Sequence, residues 1–394
     1  MKEKLNFLDG LKGIACLCVA INHFINVFCS RTVVQDNEKA LFAYNLINNN
    51  PVLRLLHNGN FYVMLFLLIS AFLTSYLLIN KKDMLYYKTT IFKRALRIIL
   101  PVFAVCLITY IISKINGFEN INKLQEITLS ITKDVKCFNN ISLIKVFTIP
   151  ITCLFKITTD FNMVFWMLPI LYKGFFISVI LSFLVEKLKP KKAVIILIIA
   201  TIIVRMLIDN TLVLFPIGTL IAYLYIAIKN NTIKISYNRT ISIVTKIISI
   251  ILLIIGLYLG SVPYNNNFDG YYSVLKQIPN LGYTTAHIIG AILVLSSVMC
   301  LENVKKILNM KPLVKLGRFS FSIYLLHFPL QCSLGAWIFI QAYELTLSYI
   351  KALFVTIPIY FTLLLIFSFL FQKFIAEKTE KLNKKIVSKI ITDW

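Results

Sequence analysis

Eight ionisable side chains fall inside, or at the ends of, long apolar runs: Lys12, His23, Arg94, Arg97, Lys173, Arg205, His287 and His327. A charge at membrane depth is costly, so each such residue is a functional hypothesis by default. Lys12 and His23 stand eleven residues apart. On a helix that is about 20° past three full turns, so both face one side, roughly 16 Å apart along the axis. A ligand touching both would be long and would run along the membrane normal. Arg94 and Arg97 are i,i+3 neighbours and make one cationic face, and a guanidinium pair suits phosphate. Histidine titrates near neutral pH, which suits a general base at His23. His327 lies partway up an apolar run near the C-terminal end. The plainer reading stands beside these: basic residues at helix ends snorkel to the interface, and a single histidine can simply pack. Arg205 and His287 sit near outer helix ends and are expected at the interface. Lys173 is deeper and has no assigned role.

The elements that must position these groups are helices. The 394-residue chain is 58% hydrophobic with mean hydropathy +0.79, and its charged residues, 15% of the total, cluster between apolar runs. A water-soluble domain of this length cannot hide that much apolar surface. The pattern implies an all-α integral membrane protein of about ten transmembrane helices, at roughly 11–29, 61–79, 91–113, 161–185, 193–208, 212–228, 241–261, 282–301, 319–340 and 352–372. With the N-terminus inside, the inner segments hold 27 Lys/Arg against 8 Asp/Glu, and the outer segments 11 against 9. This asymmetry places both termini in the cytoplasm and accounts for the net charge of +24 as orientation, not nucleic-acid binding. The first apolar run reads as a retained helix, not a cleaved signal. One membrane domain over 1–394 is expected, with no soluble extension and no internal repeat. The long outer loop at about 114–160 contains an apolar stretch, Ile141 to Ile157, expected as an interfacial or re-entrant helix. Cys137 and Cys153 share that loop and could pair. The other cysteines in apolar runs, Cys29 among them, behave as small hydrophobes. No metal-ligand spacing appears.

The stretch Leu8-Asp9-Gly10-Leu11-Lys12-Gly13-Ile14-Ala15, followed by His23, resembles the opening of the membrane-bound acyltransferase family 3, with Lys12 where the family usually has arginine. Leu316-Gly317-Arg318-Phe319-Ser320-Phe321-Ser322-Ile323-Tyr324-Leu325-Leu326-His327-Phe328-Pro329 is similar to a second long motif of that family. Weaker matches lie between them in the family's order: Val63 to Leu73 with Ser70, Arg94 and Arg97 followed by Pro101, Trp166 with Gly174, and Phe215-Pro216-Ile217-Gly218 leading to Ala222.

The resemblance implies an O-acyltransferase of the bacterial cytoplasmic membrane. Its donor would be cytoplasmic acyl-CoA, chiefly acetyl-CoA, used as co-substrate without a metal. Its acceptor would be a hydroxyl of an extracytoplasmic or lipid-linked glycan. Lys12, Arg94 and Arg97 would bind the donor's phosphates. His23 would be the general base, and Asp9 would cap the first helix or orient Lys12. Ser70 would hydrogen-bond the acyl or acceptor group, and His327 would have a structural or proton-relay role. Two departures stand out: Leu171 occupies the place of a frequent family glutamate, and Met64 and Leu65 replace an acidic residue before the second-helix motif. A transporter or flippase for a lipid-linked glycan, or an inactive envelope-assembly scaffold, would also keep charged groups within a helical bundle. Neither would consume acyl-CoA.

Overall fold

The computed structural model describes residues 5–28, 50–128, 133–234, 238–264, 268 and 270–392. Cys29 and much of the outer segment 30–60 lie outside the described residues. Within them every regular element is helical and no strand occurs. In lipid, backbone groups must find partners within the segment itself, and a helix does this without edges.

The ten expected helices are present: α1 (Asn6–Phe28), α2 (Gly59–Lys81), α3 (Met84–Lys114), α4 (Met163–Val185), α5 (Pro190–Leu207), α6 (Leu214–Lys229), α7 (Arg239–Gly260), α8 (Tyr283–Cys300), α9 (Ser320–Thr346) and α10 (Tyr349–Phe371). Eight are long and apolar enough to cross a membrane. The other two are α5, which carries Lys191, Lys192 and Arg205 within 18 residues, and α6, which has only 16. The protein is a multi-pass membrane protein.

Three elements extend beyond the sequence expectation. The third helix starts at Met84 instead of about residue 91, so its Lys- and Arg-rich flank is helical too. The last helix passes through a π-helical turn, Gln372–Ala376, into α11 (Glu377–Thr392), so the basic tail is not irregular chain. The ninth helix is interrupted by a π-helical turn at Gln331–Gly335, just after Pro329. The loop after α3 does hold the expected apolar helix, Leu143–Thr152, capped by the Ser142 hydroxyl. Ten residues span about 15 Å, half of a hydrocarbon core.

The described chain forms two units. The first contains α1 up to Cys16, α2, α3 up to Ile91, α4 from Ile170, and everything on to Arg318. Its α7 and α8 pack closely: a Cβ on Gly290 would stand 2.8 Å from the Gly256 carbonyl oxygen, the small-residue contact that membrane helices use in place of a hydrophobic drive. The second unit contains α1 from Leu17, α3 from Phe92 with the loop that follows, and α9 to the C-terminus. Within their apolar windows, 83% of α9 is buried but only 11% of α7. The exposed face of α7 is a row of isoleucines, including Ile243, Ile247, Ile251 and Ile254, which suits lipid. The helix bearing His327 is thus the most enclosed span.

Candidate functional site

In the first unit the two long motifs meet at their glycines. A Cβ on Gly317 would lie 1.8 Å from the Asp9 carbonyl oxygen, and one on Gly10 would lie 2.0 Å from that of Leu308. Only hydrogen fits at either place, so the start of α1 rests backbone to backbone on the segment that precedes α9. Asp9 lies inside α1, three residues past its start, and ion-pairs with Lys12 at 3.0 Å (Oδ1 to Nζ). It therefore orients Lys12 instead of capping the helix. The weaker motifs also pack here. Gly174 leaves room for the Phe215 ring, Gly218 lies against Ala71, and the Ser75 and Thr219 hydroxyls bond at 2.8 Å.

In the second unit the same two motifs meet again, now through their histidines. The rings of His23 and His327 have centroids 5.3 Å apart, and Phe328 stands edge-on to His23 at 5.4 Å. His327 is fully buried and His23 partly so. The His327 Nδ1 lies 3.0 Å from the Ile323 carbonyl oxygen one turn back. Tyr360 of α10 donates from its hydroxyl to the His327 carbonyl at 2.8 Å. Gln331, fully buried at the start of the π turn, donates from Nε2 to the His23 carbonyl at 2.8 Å. A π turn rotates the following residues relative to an α-helix, and such turns recur at functional sites.

The segment at the start of α4 hydrogen-bonds to the helix that carries His327. Phe161 is fully buried at φ +66°, a left-handed conformation that costs a bulky residue strain. It is held by its amide bonding the Cys137 carbonyl at 3.1 Å. The next residue, Asn162, is buried; it donates to the Leu325 carbonyl at 2.7 Å and caps the turn that begins at Met163. The Tyr324 hydroxyl donates to the Val164 carbonyl. Gln331, Asn162 and Tyr360 are absent from the sequence expectation. Gln331 had a signal, an amide four residues after His327 in an apolar run; the other two had none.

The remaining expected residues are scattered. Arg94 and Arg97 share α3 in the second unit, Arg94 half-buried and Arg97 exposed. Pro101 lies four residues past Arg97 and cannot supply the amide that its carbonyl would normally accept. Ser70 is half-buried on α2, in the first unit. Lys173 and Arg205 are exposed, and Leu171 is buried. His287 is held by the protein on both ring nitrogens. It is fully buried, with Nδ1 accepting from Asn60 Nδ2 at 2.9 Å and Nε2 donating to the Val262 carbonyl at 2.9 Å. Its own bonds hold it among packed side chains, four residues past the start of α8. Cys137 and Cys153 are buried and no disulfide joins them; the Cys153 thiol donates to the Pro150 carbonyl. Among the described residues no cluster of His, Cys, Asp or Glu could hold a metal ion.

The chain matches the family model described as an acyltransferase domain, acyltransferase family 3, over residues 5–373. No curated protein and no solved structure matches it.

Proposed function

The chain belongs to acyltransferase family 3, and on that premise we propose that it moves an acyl group, of the acetyl class, from cytoplasmic acyl-CoA to a hydroxyl of a cell-envelope carbohydrate. The observation that carries this reading is the pairing of His23 with His327, 5.3 Å apart, each supplied by one of the two long motifs. His23 takes the proton from the acceptor hydroxyl as that oxygen attacks the thioester carbonyl. The C–O ester bond forms, the C–S bond breaks, and the proton leaves with the CoA thiolate as free thiol. Arg94 and Arg97 are donor-phosphate contacts by their chemistry. Lys12, in the first unit, is a phosphate contact by the same chemistry once it exchanges its Asp9 partner.

The orientation this requires rests on the charge asymmetry. A reporter fused after Trp394 is expected to be active only on the cytoplasmic side, and one inserted near Asn266 only outside. If both report the same side, the orientation is wrong. The reaction itself is tested by acetyl transfer from acetyl-CoA to envelope glycan, using purified protein in nanodiscs. Thioester consumption that depends on glycan supports the enzyme, and its absence returns the chain to a transporter or a scaffold.

A further inference from the structure

His327 and Gln331 lie four residues apart on α9 and therefore share a face. Neither exposes any surface. The Ile323 carbonyl can only accept, so the bond at His327 Nδ1 places the ring proton there and leaves Nε2 as a lone-pair acceptor. The His23 carbonyl likewise requires the amide group of Gln331 toward it, which leaves Oε1 as an acceptor. Neither His327 Nε2 nor Gln331 Oε1 has a hydrogen-bond partner among the described residues. Buried acceptors without donors are rare because desolvating them is costly. Here two stand within one helical turn, beside His23, whose ring meets that of Phe328 edge-on.

Such a place asks for a guest that brings O–H or N–H donors, not more acceptors. The reacting thioester has a carbonyl oxygen and a sulfur and brings none; a carbohydrate brings adjacent hydroxyls. We propose that His327 Nε2 and Gln331 Oε1 accept hydrogen bonds from two neighbouring hydroxyls of the acceptor sugar, so that a third contact, His23, meets the hydroxyl to be acylated. The inference rests on the acyltransferase reading and names what holds its second substrate. It makes Gln331 a binding residue and gives His327 a substrate contact in place of a purely structural role. The bond from Gln331 to the His23 carbonyl couples the two tasks: the residue that grips the sugar also fixes the helix that carries the base.

The test uses full-length protein in nanodiscs, acetyl-CoA, and envelope glycan isolated from cells lacking the protein. Gln331→Met keeps the side chain's length and removes both the open acceptor and the amide that bonds the His23 carbonyl. It is expected to raise the KM for glycan about tenfold or more while leaving the KM for acetyl-CoA unchanged, and to shift acetate among the sugar's hydroxyls. Gln331→Glu also lacks that amide donor but restores acceptor oxygens, so it isolates the acceptor and is expected to recover most of the glycan affinity. An unchanged glycan KM and acetylation position in the Met variant would mean that water satisfies these acceptors, and the proposal fails. A rise in the acetyl-CoA KM instead would assign them to the donor's amide groups and would overturn the proposal as well. A second measurement needs no variant. In wild-type protein labelled with 15N-histidine, the Nε2 resonance of His327 is expected to move on adding glycan and not on adding CoA. No movement with glycan overturns the inference. A movement without any acetyl transfer would keep the sugar site and overturn the enzyme reading alone.

Discussion

His287 and His327 are both fully buried histidines on membrane-spanning helices, one in each unit of the molecule. Around His287 the protein completes the ring's hydrogen bonding, with an asparagine amide on one nitrogen and a backbone carbonyl on the other. Around His327 it satisfies Nδ1 and leaves Nε2 open, next to a second open acceptor on Gln331 and to the ring of His23. Burial and residue type are the same in both places. What differs is whether the fold itself uses up the ring's hydrogen-bonding capacity.

The strongest way to break the comparison is at His23. If it is the base beside an open histidine, His23→Gln should lower single-turnover acetyl transfer by roughly 10²–10⁴-fold, because glutamine keeps a polar group but cannot take a proton. Acetyl-CoA affinity should survive, since the proposed phosphate contacts lie elsewhere. Near-normal turnover would put His23 in the same class as His287. A smaller effect is expected at the donor end: Arg97→Ala should weaken acetyl-CoA binding by about 1.5–3 kcal/mol, the usual worth of a charge-assisted contact. Equal affinity in wild type and variant, by calorimetry, would return the arginine pair to a simple topology signal.

His287→Leu sharpens the contrast from the other side. It leaves the Asn60 amide and the Val262 carbonyl without their partner, so stability should fall by about 1–3 kcal/mol. The folded enzyme should keep its KM for both substrates. A change in either KM would mean that His287 also reaches the chemistry. The smallest expected difference lies between Lys12 variants. Lys12→Ala should weaken the donor and strand Asp9, whereas Lys12→Arg should restore the cation and its ion pair. If arginine does not rescue the alanine variant's lost affinity, the site needs a compact ammonium.

The helices and the family motifs were legible in the amino-acid sequence because both are local signals. Apolar runs of about twenty residues report spans, and the eleven-residue step from Lys12 to His23 reports one helix face whatever surrounds it. Even the apolar helix at Leu143–Thr152 followed from its length and composition. Helix ends were less legible: α3 and α11 extend through basic residues that hydropathy reads as loop.

The sequence by itself determined the family, the helical class, the positions of the spans and the two motif histidines as candidates. Only the tertiary structure decided which polar groups meet and which remain open. Gln331 reaches the His23 carbonyl across a sequence separation of 308 residues, and no period or spacing encodes such a contact. The place of His287 along a helix was readable but its partners were not; Asn60 lies 227 residues away. Cys137 and Cys153 looked able to pair because sequence shows only that they share a loop, whereas a disulfide depends on where the two sulfurs point. Hydrogen-bond satisfaction is a property of three-dimensional neighbours, and for that reason the open acceptors beside His23 came into view only with the fold.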